Sequence, residues 1–139
     1  MTPRQIELVQ SSYRSVLLVS ESTAQLFYAR LFAVDPDMQK MFGGNMRQQG
    51  RMFMYALGAA VAWLKNFEAV VPQLEALAQR HRGYGVMPGH YGALADALLW
   101  ALERALGESF DDELRTAWGE LIAELAGVMK QAAYGGADR

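Results

Sequence analysis

The chain has 139 residues and a formal charge of −2, with 52% apolar and 20% charged positions. That composition fits one globular domain with a buried core and leaves no basic field to hold a nucleic-acid backbone. Cysteine is absent, which excludes disulfides, thiolate nucleophiles and Cys-ligated zinc.

Thr2, followed by Pro3 and by Gln5 three residues on, spells a capping box with proline at the first helical position. Ile6, Val9, Tyr13, Val16 and Leu17 then recur at helical spacing. This N-terminus lacks the apolar core of a signal peptide, and the expected location is the cytoplasm. A second helix starts near Ser20 and carries Ala24, Phe27, Tyr28 and Leu31 on one face. Asp35 precedes a proline and so ends it, and Pro36 opens a short helical turn.

The "GGN" at 43–45 is a loop. The next helix is predicted from Asn45 or Met46 to Lys65, with Gln49, Phe53, Ala56, Leu57, Ala60 and Leu64 on one face. It contains the longest uncharged run, Met52 to Leu64, whose thirteen residues are too few to span a bilayer. A shorter helix, Val70 to Arg82, carries Leu74, Leu77, Ala78 and His81 on one face. "GYGVMPG" breaks the chain. Pro88 then opens a long helix to Leu106, with Tyr91, Leu94, Leu98 and Leu102 on its apolar face. Ser109, with Asp112 three residues on, caps the last helix, which runs to Tyr134. The glycines at 135–136 lead into a frayed tail, 135–139. The fold class is all-α, one domain over 1–139. Trp63, Trp100 and Trp118 read as packing residues, and the methionines between 38 and 54 as flexible filling.

Three polar residues interrupt apolar faces: Tyr28, Gln49 and His81. A buried polar group without a partner costs about 1–3 kcal/mol, so each needs a partner or a function. His81 is either bonded to a backbone carbonyl or an axial metal ligand. One histidine cannot build a zinc site, which needs three or four protein ligands. It does suffice for haem iron, because the porphyrin supplies four nitrogens. Tyr28 and Gln49 can bond each other or a backbone carbonyl, or both can face a bound diatomic ligand. Spacing alone does not choose. His90 follows Pro88 and Gly89 and reads as a solvated or capping histidine.

These residues sit in segments that resemble the single-domain bacterial globins, the branch that includes the globin part of flavohaemoglobins. "LFYARLFAVDPDMQKMF" resembles that family's second helix and the short third one. "LEALAQRHRGYGVMPGHYGAL" resembles its proximal helix, the following turn and the start of the next helix. "AWGELIAEL" resembles its last helix. The resemblance spans nearly the whole chain and implies a globin fold, a helical sandwich around a haem b (iron protoporphyrin IX) pocket. It implies His81 as the proximal iron ligand, Phe42 as the phenylalanine wedged against the haem, and Tyr28 and Gln49 as distal hydrogen-bond donors. Phe53, Leu57, Val86, Tyr91 and Leu94 would line the haem.

Two departures stand out. The family's basic residue one turn after the distal position is here Met52, which leaves Arg80 or Arg51 to meet a haem propionate. The glutamate that strengthens the proximal push falls on Ala133, which argues against peroxidase-like or fast dioxygenase chemistry. The function implied is reversible oxygen binding at ferrous iron for storage, transport or scavenging, with tight binding and slow release; carbon monoxide and nitric oxide are further ligands. An enzymatic alternative is nitric oxide dioxygenase served by a separate reductase. A gas sensor and a haem-free bundle rank lower. No membrane span is expected.

Overall fold

The structure, a computed structural model, describes residues 1–42, 44–83 and 89–134, with the side chains at 81, 133 and 134 outside that description. The described residues form helices and turns and no strand. Six α-helices follow one another: α1 (Pro3–Leu18), α2 (Ser20–Val34), α3 (Met46–Ala62), α4 (Val71–Gly83), α5 (His90–Leu106) and α6 (Asp112–Tyr134). Short 3-10 helices at Pro36–Lys40, Leu64–Ala69 and Gly107–Ser109 join them.

Local chemistry sets most of the boundaries. The capping box at α1 forms as its spelling predicts: Gln5 N–H donates to Thr2 Oγ1 (3.1 Å) and Thr2 N–H donates to Gln5 Oε1 (2.9 Å). Asn45 caps α3, its Oδ1 accepting from the amides of Arg47 (3.0 Å) and Gln48 (3.1 Å). Gly107 ends α5 at φ +58°, a left-handed region that glycine enters without a Cβ clash.

Two boundaries differ from the sequence expectation by more than a residue, and the expected opening of α5 at Pro88 lies outside the described residues. The third helix stops at Ala62 instead of Lys65, because the backbone turns into 3-10 geometry and breaks at Asn66 (φ −138°, ψ 60°). The cap of α6 is Asp111, not Ser109: Asp111 Oδ1 accepts from Leu114 N–H at 2.9 Å, while Ser109 closes the preceding 3-10 turn.

The elements pack as crossed pairs. Helix α2 lies across α5, α4 against α6, and α1 against α5 and α6. The α2–α3 crossing is close: a Cβ added at Gly50 would sit 3.0 Å from Ala24 Cβ, so the small pair sets how near these two helices come. The core between α1, α5 and α6 holds fully buried Val9, Val16, Leu102, Trp118 and Leu121. Its polar atoms are bonded. Tyr13 OH donates to Met54 O (3.1 Å), and Trp118 Nε1–H donates to Ser12 Oγ (3.0 Å). Trp118 is thus the packing residue the sequence reading expects. Trp63 is not, since it is 51% exposed beyond the end of α3. Trp100 is half-buried, with the guanidinium of Arg104 3.7 Å above its ring. No helix of the described residues is long and apolar enough to cross a membrane.

Candidate functional site

A cleft opens between α2 and α3 on one side and α4, α5 and α6 on the other. Its cavity volume is about 140 Å3, and it opens to solvent at one side. The walls are mostly hydrocarbon. Tyr28, Gln49, Arg80 and Tyr91 bring the polar side chains to them.

Aromatic rings build the α2–α3 wall. Phe27 stacks on Phe53, with centroids 4.3 Å apart and planes within 7°. Tyr28 stands edge-on to three rings, with centroids 4.9 Å from Phe27, 5.8 Å from Phe42 and 6.2 Å from Phe53. Offset and edge-to-face pairs are the favoured aromatic geometries, so this cluster holds the Tyr28 ring in place and leaves little room for water. The α2 face supplies Phe27 and Tyr28, and the segment opened by Pro36 delivers Phe42 to the same wall. Gln49 lies in the first turn of the capped helix α3, one turn before Phe53, and is half-buried on the cleft lining. Tyr28 and Gln49 come from different helices and face one cleft.

The opposite wall carries Leu74, Leu77 and Arg80 from α4, then Tyr91, Leu94 and Leu98 from α5. His81 is in α4, four residues after Leu77; its side chain lies outside the described residues. Val86 also lies outside them, as does the side chain at Ala133. Leu57 lines the cleft from α3. Of the two candidate cations, Arg80 borders the cleft, whereas Arg51 lines a separate surface groove between α2 and α3. Met52 stands on the cleft lining, 43% exposed.

His90 is not the cap of α5 and is partly exposed to solvent. It is the first residue of α5, partly buried, with Nε2 4.0 Å from Asp35 Oδ2; the N-cap is Gly89. The pair ties the start of α5 to the end of α2.

The sequence reading missed several residues of the wall. Phe27 was visible only as one apolar position among four on α2. Ile122, Leu125, Ala126 and Met129 of α6 close the cleft's floor, and their spacing is that of any buried helix face. No chemical signal marks them.

Comparison with known proteins gives one answer at three levels. The globin family pattern matches residues 25–129. A flavohemoprotein of Xylella fastidiosa is 30% identical over 132 residues, 93% of this chain and 33% of that protein. One of Halalkalibacterium halodurans is 29% identical over 80% of this chain and 28% of its own length. The chain therefore spans about a third of the length of these curated relatives. Among solved structures, an engineered carbene transferase from Rhodothermus marinus superposes with a TM-score of 0.90, at 21% identity over 99% of this chain and 96% of that one. A bacterial globin from Campylobacter jejuni gives 0.87, at 22% identity over 99% of this chain and all of the other.

Proposed function

This chain belongs to the globin family, and from that premise we propose that it holds haem b in the cleft and binds oxygen there reversibly. The chemistry of the donor set supports the cofactor. The cleft is walled by hydrocarbon, bordered by one guanidinium for an acidic edge group, and backed by a helix with a single histidine. No cluster of three or more metal-ligating side chains occurs among the described residues, so one histidine suits a metal that arrives with a macrocycle.

When bound, haem supplies the iron at which a diatomic gas ligates. His81 would provide the protein ligand to that iron, and Tyr28 O–H and Gln49 N–H would serve as hydrogen-bond donors to a polarised diatomic ligand. Such bonds contribute about 1.5–3 kcal/mol when the acceptor is charged, and every 1.4 kcal/mol is about a factor of ten in affinity. The rings of Phe27, Phe42 and Phe53 keep water from competing for the same acceptor, which strengthens both bonds. Arg80, bordering the cleft, would hold an acidic edge group of the haem as a charge-assisted pair. Carbon monoxide is less polarised and gains less from either donor.

The single observation carrying this reading is the convergence of Tyr28 and Gln49 on one apolar-walled cleft. Stopped-flow oxygen dissociation from Tyr28→Phe tests it. Faster release supports the role given to the phenol, and an unchanged rate removes it.

A second reading, oxidation of nitric oxide to nitrate, is favoured by the likeness to the Rhodothermus marinus protein, whose description names a nitric oxide dioxygenase. It requires one electron per turnover from a reductase. Sustained turnover with a reductant distinguishes it from simple carriage.

A further inference from the structure

Methionine supplies all the oxidisable sulfur of this chain, since cysteine is absent. Helix α3 carries three methionines, Met46, Met52 and Met54. Met52 is 43% exposed and lines the cleft. Met54, two residues on, is 7% exposed and lines the surface groove between α2 and α3 instead. The other methionine on the cleft lining, Met129 of α6, is also 7% exposed. Met52 is thus the one exposed methionine among the described residues, and it stands on the cleft.

Its neighbour matters as much as its exposure. Gln49 precedes Met52 by three residues on α3, and both line the cleft. Side chains three apart on a helix lie side by side. A thioether is a weak acceptor and does not compete for the Gln49 amide. Oxidation turns it into a polar sulfoxide, whose oxygen does.

We propose that Met52 is a peroxide-modification site that retunes the cleft through Gln49. The inference rests on the haem reading. Sulfur attacks one oxygen of hydrogen peroxide, the O–O bond breaks and an S–O bond forms. Sulfur loses two electrons and the peroxide gains them. The second oxygen leaves as water, carrying both peroxide protons. The new S–O oxygen accepts the Gln49 N–H and draws it away from the gas. One of the two distal donors is then lost, and bound oxygen leaves sooner. Reduction of the sulfoxide reverses the change. The low exposure of Met54 and Met129 places them behind Met52 in the order of oxidation.

The test uses haem-loaded protein with carbon monoxide holding the iron, so that added hydrogen peroxide reaches sulfur and not haem. Peptide mass spectrometry reads the order of oxidation. Stopped-flow mixing reads oxygen release once the peroxide is removed. Met52 should gain its oxygen several-fold faster than Met54 or Met129, and release should quicken about threefold. Methionine sulfoxide reductases should restore the untreated rate. In Met52→Leu and in Gln49→Leu, treatment should leave each variant's own rate unchanged. An oxidation order without preference for Met52 overturns the inference and leaves the haem reading intact. So does unchanged release from protein oxidised at Met52, or a response that persists in either variant. A protein that takes up no haem overturns this inference and the reading beneath it together.

Discussion

The core between α1, α5 and α6 and the cleft between α3 and α4 use similar residues for opposite ends. Both contain tyrosine set among large apolar side chains. In the core, Tyr13 spends its hydroxyl on Met54 O, and Trp118 spends its indole N–H on Ser12. The polar atoms there are consumed by the fold. In the cleft, Tyr28 and Gln49 lie on the lining of a cavity. The core is filled by the chain's own side chains, whereas the cleft keeps open space between its walls. Polarity on an apolar face therefore marks a site only where the structure leaves space in front of it.

Substitutions should separate the two regions. The largest effect is expected at Trp118, fully buried in the core. Trp118→Ala should cost about 3–5 kcal/mol of stability, through lost burial and the cavity left behind. Urea unfolding measures it, and a loss under about 1 kcal/mol would break the comparison. Tyr28→Phe should leave the unfolding midpoint nearly unchanged yet speed oxygen release about tenfold or more.

Gln49→Leu should act in the same direction but more weakly. Gln49 is half-buried, less so than Tyr28, and a donor open to solvent contributes less. A few-fold faster release by flash photolysis is the expected outcome. If Gln49→Leu exceeds Tyr28→Phe, the ranking of the two donors is reversed.

The smallest effect is a pH dependence. Burial pushes the Tyr13 phenol above its usual range. The folded state then keeps the proton where the unfolded chain has lost it. Stability from this group is whole below about pH 10 and declines as pH rises beyond that. Urea midpoints at alkaline pH should fall less steeply in Tyr13→Phe than in wild type.

Much of this was legible before any coordinates. Thr2, Pro3 and Gln5 spell a cap that forms, and Pro36 opens the short turn it foretells. Tyr28 and Gln49 stood out because each breaks an apolar stripe, and both line the cleft. The end of α3 was not legible. The apolar spacing continues through Leu64, and no glycine or proline marks the change to 3-10 geometry before Asn66. The α6 wall was hidden for a different reason. Ile122, Leu125, Ala126 and Met129 are ordinary buried-helix residues, and only their position opposite α3 makes them part of a pocket. His90 escaped because its partner Asp35 is distant in sequence, and spacing carries no information about such pairs.

The central claim is that His81 holds iron in this cleft. Its most direct test is the absorption spectrum of the purified protein, ferric, then reduced, then exposed to carbon monoxide, beside that of His81→Ala. The account predicts a strong Soret band that shifts on carbon monoxide binding, and its loss or marked change in the variant while helical circular dichroism is retained. A protein that stays colourless after haem is supplied, or a variant with the wild-type spectrum, would contradict it.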